Sequence, residues 1–371
     1  MRFGLDGVPL SRQKTGIGHY TFELAQAMAA LAPADQFEIV SPGPFAHDGE
    51  VQLPANLRLV NLGVAGWKRR GWWSITLPRY CARLSLFHGT NFDLPYWGKC
   101  PTVLTIHDLS LLLFPETHEK HLVRRARLKL PRAARKATAI ITPSETVKRE
   151  VCEHIGVDAG KVFAIPEAAR SSFYPAPEAE SEAVRERLGI GSDFVLFVGT
   201  IEPRKNVLNL VRAFAELVGD GSSRLHLVIA GKRGWLSNDL ETYLASSVVK
   251  ERVLFTGHLS DDELRALYSS CRVFAYPSLY EGFGLPLLEA MACGAPVVTS
   301  NVPSIVETVG SVARLVAPND VHDIARGIEA LVANDEEREQ RSAAGRRHAE
   351  LFSWQRAATA TLEVYRRVLE I

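Results

Sequence analysis

The sequence predicts an α/β protein built from two doubly wound domains, each a parallel sheet covered by helices. Short apolar runs alternate with segments of helical periodicity. The alternation stops at one Pro- and acid-rich segment and then restarts, and 371 residues are enough for two domains. Because ligands of open α/β sheets bind beyond the carboxyl ends of the strands, residues that follow predicted strands are the first candidates for a functional site.

The first half of the chain carries one set of strands and helices. Helical periodicity is clear over residues 20–31 and 145–154, between apolar runs that are typical of buried strands. A further strand is expected to end at Phe87. The other predicted strands are Phe3–Leu5, Phe37–Val40, Leu57–Val60, Thr102–Ile106, Ala139–Thr142 and Val162–Ile165.

The segment Tyr174–Glu182 has no apolar period and is interpreted as an interdomain linker. Helical patterns then recur over 207–218, 261–270, 320–334 and 353–369. The predicted strands of the second half are Phe194–Val198, Leu225–Ala230, Val253–Thr256, Val273–Tyr276, Pro296–Thr299 and Ala313–Val316. We expect domains at 1–174 and 183–352, and leave open whether the last helix, about 353–371, crosses back onto the first domain.

Bulk composition limits the class of protein. A formal net charge of +1 gives no case for nucleic acid as a partner. The five cysteines form no CxxC pair, so neither a zinc site nor a disulfide framework is indicated, which fits a reducing cytoplasm. The first ten residues read as a strand rather than a signal peptide. No stretch approaches the roughly 20 apolar residues of a membrane span.

Two loops after predicted strands carry the strongest candidates for chemistry. Arg204 and Lys205 lie between the strand ending at Val198 and the next helix, where two cations are well placed to neutralise a diphosphate. Alone, this pair is as readily two exposed basic residues.

The second loop, 277–284, leads into a helix that Pro286 suits at its start and Gly294 at its end. The amides of Phe283, Gly284 and Leu285 would then form an anion site at the helix N-terminus. Glu281 precedes these amides and Glu289 follows on the helix. One carboxylate could accept hydrogen bonds from a sugar hydroxyl and the other from the vicinal diol of a ribose.

The segment 281–289 resembles the E-x7-E signature of retaining glycosyltransferases of family four, which share the GT-B fold. The resemblance covers essentially the whole chain and includes the segments 231–235, 255–259 and 292–298. It implies a nucleotide-sugar-binding C-terminal domain and an acceptor-binding N-terminal domain that face a cleft. It assigns the donor diphosphate to Arg204 and Lys205, the transferred sugar to Glu281 and the ribose to Glu289. Many members carry an arginine where this chain has Thr200, which leaves the division of labour between the two cations open.

The N-terminal half provides weaker candidates. Gly16 and Gly18 follow the first strand and open a helix, and the resemblance places such a loop against the donor phosphate. His107 ends the strand that begins at Thr102, and the resemblance implies a contact with the donor sugar. His88 and Asn91 follow another strand and are candidates for the acceptor site. For both, a purely structural role is nearly as good an interpretation.

The chemistry implied by the resemblance is transfer of a sugar from a nucleoside diphosphate to a hydroxyl with retention of configuration. No Asp-x-Asp motif is present and Asp261-Asp262 reads as a helix cap, so we expect neither a metal nor a cofactor. Segments 199–206 and 231–235 resemble bacterial polysaccharide mannosyltransferases. GDP-mannose is therefore the first expectation for the donor, UDP-sugars follow, and a glycan or lipid-linked acceptor is expected.

Basic residues with aromatic neighbours occur in segments 67–73 and 120–136. They suit an anionic membrane surface, although a solvated basic helix explains them slightly better. The chain is thus expected in the cytoplasm, with a peripheral contact at the inner face of the membrane left open. The alternative functions are a nucleotide-sugar 2-epimerase of the same layout and a non-catalytic sugar-nucleotide-binding protein.

Overall fold

The computed structural model describes residues 1–11, 16–46, 52–64, 71–219, 224–235 and 238–370. The chain divides into two compact units. The N-terminal unit comprises Met1–Leu109, Arg124–Ala168 and Ser353–Ile371. The C-terminal unit comprises Ser110–Val123 and Ala169–Phe352.

The two sheets are built from short strands. The strands are β1 (Arg2–Asp6), β2 (Gln36–Ser41), β3 (Leu57–Asn61), β4 (Leu86–Gly89), β5 (Thr102–Thr105), β6 (Ala139–Thr142), β7 (Val162–Ala164), β8 (Phe194–Val198), β9 (His226–Ala230), β10 (Val253–Gly257), β11 (Val273–Tyr276), β12 (Val297–Ser300) and β13 (Arg314–Val316).

Helices cover the sheets. They are α1 (Gly16–Leu31), α2 (Leu77–Cys81), α3 (Ser110–Leu113), α4 (Lys120–Lys136), α5 (Glu145–Ile155), α6 (Glu178–Leu188), α7 (Val207–Val218), α8 (Asn238–Ser246), α9 (Asp261–Ser270), α10 (Leu285–Ala292), α11 (Pro303–Val309), α12 (Val321–Ala333), α13 (Asp335–Ala349) and α14 (Trp354–Glu370). Among the described helices, none combines the length and the apolar character that crossing a bilayer requires.

Both sheets are parallel and share one strand order. The N-terminal sheet runs β3-β2-β1-β4-β5-β6-β7, and the C-terminal sheet runs β10-β9-β8-β11-β12-β13. In each, the chain winds outward in one direction, returns to the middle and winds outward in the other. The central strands are buried on both faces, as the continuous apolar runs predicted. The predicted fold of two doubly wound α/β units is therefore confirmed.

The last helix, α14, belongs to the N-terminal unit and packs against α1. Its Tyr365 is fully buried, and the hydroxyl lies 2.7 Å from Nδ1 of His88 on β4. Nε2 of the same histidine lies 2.7 Å from Oγ1 of Thr105. This chain of buried hydrogen bonds fixes the end of the sequence to the sheet at its beginning.

The predicted linker differs from the sequence-based expectation. Residues 178–182 of this segment belong to helix α6 and include its first turn. Acidic residues occupy that turn and arginines the last turn, which complements the helix dipole. Gly189 ends the helix in the left-handed conformation at φ 68°. Charges and a glycine at the helix ends do not produce an apolar period, which is why the sequence pattern predicts a linker here instead of a helix.

Tyr365→Phe is predicted to destabilise the N-terminal unit by about 1–3 kcal/mol, because it leaves a buried ring nitrogen of His88 without its partner. Urea unfolding of both variants would measure this. Tyr96→Phe is the control, because Lys129 donates to that hydroxyl at an exposed position, and its effect should stay below about 0.5 kcal/mol. Equal effects of the two substitutions would contradict the proposed role of the His88 contact.

Candidate active site

The candidate site in the C-terminal unit lies where its sheet reverses direction. Strands β8 and β11 are neighbours at the middle of the sheet. The chain leaves β8 toward α7 and leaves β11 toward α10, so the two loops after these strands diverge and leave a crevice. Loop 199–206 and loop 277–284 are the two in which the sequence predicted the donor site.

Asn206 fixes the first loop. It has φ 60°, which asparagine tolerates better than most residues, and it stands directly before α7. Its side-chain amide donates to the carbonyl oxygens of Pro277 at 3.0 Å and Pro318 at 2.6 Å. The amide of Leu279 donates to the carbonyl of Arg204 at 2.8 Å. The two loops are therefore joined by a backbone hydrogen bond and by the side-chain amide of Asn206, before any charged side chain is considered.

Four charged side chains, two buried carboxylates and two largely buried cations, meet between these loops. Arg204 donates to Oε2 of Glu281 at 2.9 Å and to Glu202 at 2.7 Å. Lys205 donates to Oε1 of Glu281 at 2.5 Å. The structure thus brings together three residues that were predicted to act together, and it adds Glu202 as a second carboxylate. The two positive and two negative charges balance.

Tyr276, the last residue of β11, completes this cluster. Its hydroxyl accepts from Nζ of Lys205 at 2.5 Å and donates to Oε1 of Glu281 at 3.0 Å. The ring is fully buried and stacks on Phe197 with the centroids 5.8 Å apart. The position of Lys205 is therefore set by a rigid strand residue as well as by a carboxylate.

Protonation follows from these contacts. Burial favours the neutral acid at Glu281, but the positive charges of Arg204 and Lys205 outweigh it and lower the pKa of Glu281 to about 2. At Lys205 burial is the stronger effect and lowers its pKa, although Glu281 opposes it. Glu281 is consequently a carboxylate throughout the physiological range.

Helix α10 begins at Leu285, with Pro286 in its first turn, as predicted. Gly284 precedes it at φ 99°, and a Cβ atom there would come within 2.7 Å of Leu287. Only glycine accepts this conformation easily. The amides of residues 283–285 therefore lie at the start of the helix, before its first internal hydrogen bonds. Phe283 packs its ring into the core of the unit.

Glu289 lies on α10 and pairs with Arg170, a residue that no motif in the sequence indicates. Nε and Nη2 of Arg170 both donate to Oε1 of Glu289, at 3.1 and 3.0 Å. Nη1 of Arg170 donates to both carboxylate oxygens of Asp261, at 2.5 and 2.6 Å. Asp261 was predicted as a helix cap. It is the first residue of α9, but the capping side chain is that of Ser260.

In the N-terminal unit, His107 follows β5 and is held by two acceptors. Its Nδ1 lies 3.0 Å from Oε1 of Glu167, and its Nε2 lies 2.8 Å from the carbonyl oxygen of Thr90. Both ring nitrogens must donate, which requires the imidazolium. Burial works against that charge, but the hydrogen bond and charge of Glu167 prevail and raise the pKa of His107. Its predicted contact with the donor sugar stays a prediction.

The proposed role of His88 in the acceptor site needs correction. The side chain has no exposed surface, and Tyr365 and Thr105 occupy both ring nitrogens. Burial, with a smaller contribution from His107, lowers its pKa to about 3. His88 is thus a neutral part of the sheet packing and cannot contact an acceptor in this conformation. Sequence position misled here because β4 is central and its last residues still lie within the core.

The remaining candidates are described more simply. Asn91 is partly buried in the turn after β4. Gly16 is exposed at the start of α1, as predicted, and Gly18 is buried within the helix. Thr15, which precedes them, lies outside the described residues. In the part of the chain that is described, no group of three potential ligands is arranged to hold a metal ion.

Four residues of these clusters were missed from the sequence: Tyr276, Glu202, Arg170 and Glu167. Tyr276 ends a predicted strand at the switch point, and Glu202 lies inside the selected loop, so both had a positional signal. Arg170 and Glu167 lie between the last strand of one unit and the first helix of the next. Nothing in their local pattern indicates a partner so distant in the chain.

Two family models match the chain. Residues 180–348 match the model "Glycosyl transferases group 1", and residues 14–169 match the model "Glycosyltransferase Family 4". The chain is 31% identical to O-antigen chain mannosyltransferase B of Escherichia coli, over 96% of this chain and 97% of that protein.

Two solved structures share the fold. Sucrose-phosphate synthase from Thermosynechococcus elongatus superposes with a TM-score of 0.81 at 22% identity, covering 100% of this chain and 99% of that one. The Anabaena protein HepE, in complex with UDP and glucose, superposes with a TM-score of 0.76 at 18% identity, covering 99% of each chain.

Glu167→Gln is predicted to lower the pKa of His107, because it removes the charge that stabilises the imidazolium. A raised pKa contributes stability that is complete below the unfolded pKa of about 6.5 and is lost as the pH rises through the folded value. The difference in unfolding free energy between wild type and variant should therefore be largest in mild acid and shrink toward alkaline pH. NMR titration of the His107 ring would measure the pKa directly.

Glu153→Gln, at an exposed carboxylate of α5, is the control for that titration. A His107 titration unchanged by Glu167→Gln would show that the carboxylate does not set its charge.

Proposed function

Because the chain belongs to family 4 of the glycosyltransferases and has the GT-B fold, we propose that this glycosyltransferase transfers mannose from GDP-mannose. The acceptor we propose is a hydroxyl of a glycan or of a lipid-linked glycan. Support for mannose comes from the similarity to O-antigen chain mannosyltransferase B, which extends over nearly the full length of both chains. The observation that carries the proposed mechanism is the contact of Arg204 and Lys205 with Glu281 at the switch point of the C-terminal sheet.

The cations in this cluster are well suited to a leaving diphosphate. Lys205 is fixed by Tyr276 and Glu281, so it does not have to be ordered when the bond to the sugar breaks. Preorganised charge of this kind acts on the charge that develops in the transition state. The amides at the start of α10 add donors without adding a side chain that needs its own counterion.

Glu281 has two roles in this scheme. Together with Glu202 it balances the charges of Arg204 and Lys205. Its carboxylate also accepts a hydrogen bond from a hydroxyl of the transferred sugar when the donor diphosphate contacts the two cations. Since its pKa is about 2, it remains an acceptor and does not act as a general acid near neutral pH.

We propose that the reaction retains the anomeric configuration and needs no metal ion. The acceptor hydroxyl attacks the anomeric carbon on the face that the diphosphate leaves. The bond from that carbon to the phosphate oxygen breaks, and the hydroxyl proton passes to the departing phosphate. Lys205 and Arg204 supply the positive charge that a divalent cation would otherwise provide.

We predict that GDP raises the melting temperature of the protein more than UDP, ADP or dTDP, because a ligand stabilises the state it binds.

Lys205→Met should lower kcat/KM for mannose transfer from GDP-mannose by about 10²- to 10³-fold, the usual cost of a lost transition-state donor. Radiolabelled mannose transfer to an acceptor glycan would measure this.

Glu329→Gln, an exposed carboxylate of α12, is the control and should transfer mannose at the wild-type rate. If UDP raised the melting temperature more than GDP does, a UDP-sugar would replace GDP-mannose as the proposed donor. Unchanged transfer by both Lys205→Met and Glu281→Gln would remove the proposed site.

A peripheral membrane contact of the N-terminal unit is our second proposal, and an exposed aromatic and basic surface supports it. Trp97 and Tyr96 are each about half exposed, and Leu128 of α4 is 60% exposed. Lys129 donates to the Tyr96 hydroxyl at 2.7 Å. From Arg124 onward α4 carries basic residues and no acidic ones. Interfacial aromatics beside cations suit an anionic lipid surface. Residues 67–70 of the other predicted segment lie outside the described residues.

Trp97→Ser combined with Leu128→Ser is predicted to weaken binding to vesicles that contain phosphatidylglycerol, because it removes apolar area from the contact surface. Cosedimentation at low and high salt would measure binding, and salt should weaken it. The control is Leu351→Ser, at a similarly exposed leucine of the C-terminal unit, 56% against 60%. Binding that is equal for neutral and anionic vesicles would contradict the proposed surface.

A further inference from the structure

Arg170 makes contacts on three sides of its guanidinium group. One edge donates twice to Oε1 of Glu289, and Nη1 donates twice to Asp261. The plane of the group lies over the ring of Phe173, 4.5 Å from its centroid. Only 8% of the residue is exposed. A guanidinium held in this way has one orientation available to it.

Glu289 depends on this arginine. It is 7% exposed, and a buried carboxylate without a counterion is strongly disfavoured. Both N–H groups that Arg170 offers converge on the same oxygen, Oε1. This contact therefore fixes the rotation of the carboxylate as well as its charge.

We propose that Arg170 is a positioning residue that orients Glu289 for the ribose of the nucleotide donor. This inference rests on the proposed function, in which Glu289 accepts hydrogen bonds from the ribose hydroxyls. In this proposal Arg170 acts on the nucleotide through Glu289, whose carboxylate it holds. Asp261 accepts from the opposite side of the guanidinium and shares with Glu289 the task of balancing its positive charge.

A second role for Arg170 is structural and must be separated from the first. Through Asp261 it also ties the segment that starts at Ala169 to α9. Loss of this tie would lower stability and weaken every ligand alike. Loss of carboxylate orientation would weaken only those ligands that carry ribose hydroxyls.

The experiment compares the affinities of GDP and 2′,3′-dideoxy-GDP by isothermal titration calorimetry of the full chain. Wild-type protein should prefer GDP by about 10- to 100-fold, the contribution of one or two hydrogen bonds to a charged group. Arg170→Met should bring this ratio close to that of Glu289→Gln, near unity, by weakening GDP and leaving the dideoxy nucleotide almost unchanged. Arg170→Lys keeps the charge without the paired donors and should give an intermediate ratio.

Arg265→Met is the matched control. Arg265 is 7% exposed, pairs with Glu180 at 2.6 Å and belongs to the same unit. Its loss removes a buried arginine without touching Glu289, so the ratio should stay at the wild-type value. Arg170→Lys provides the measurement if Arg170→Met does not fold.

The outcomes separate the two hypotheses. If Glu289→Gln lowers the ratio but Arg170→Met and Arg170→Lys weaken both nucleotides equally, Arg170 is structural and the inference fails while the proposed function stands. If Glu289→Gln leaves the ratio unchanged, the ribose assignment itself is wrong. A ratio lowered by both Glu289→Gln and Arg170→Met, and not by Arg265→Met, supports the inference.

Discussion

The C-terminal unit encloses charged side chains where its sheet changes direction. Each charge needs a partner of opposite sign, and this requirement determines which residues lie around it. Removing an ion from water costs several kcal/mol unless a partner and further hydrogen bonds replace the solvent. Arg204 and Lys205 obtain these from Glu281, Glu202 and Tyr276. Each of the two cations therefore has a carboxylate partner within the same unit.

A second cluster of paired charges connects α10, α9 and the segment that contains Arg170. Glu289 on α10 pairs with Arg170, which pairs with Asp261 at the start of α9. Buried pairs of this kind contribute little net stability compared with apolar packing. What these pairs provide is the orientation of the carboxylates, because the hydrogen bonds from the arginines and the lysine fix where the carboxylate oxygens lie. The stability of the unit comes instead from its apolar core, in which Phe194, Phe214 and Phe274 are fully buried.

The sequence was sufficient for the strands and for the start of α10, but not for the partners of the buried charged side chains. Apolar runs located the strands because parallel strands are buried on both faces, and Pro286 and Gly284 marked the start of α10 because backbone geometry demands those residue types there. Arg170 could not be found, since its role depends on Glu289, which is 119 positions away. No periodic pattern encodes such a pairing, because it is created only when the sheet brings the two segments together.

The two histidines of the N-terminal sheet show why residue type and strand position do not determine function. His88 lies on β4 and His107 follows β5; the first is fully buried and the second is largely buried. Hydroxyl groups surround His88, and these can donate or accept, so burial keeps the ring neutral. A carboxylate and a carbonyl oxygen face His107, and since neither can donate, the ring must carry both protons. The identity of the partner atoms therefore decides which of the two histidines is a cation.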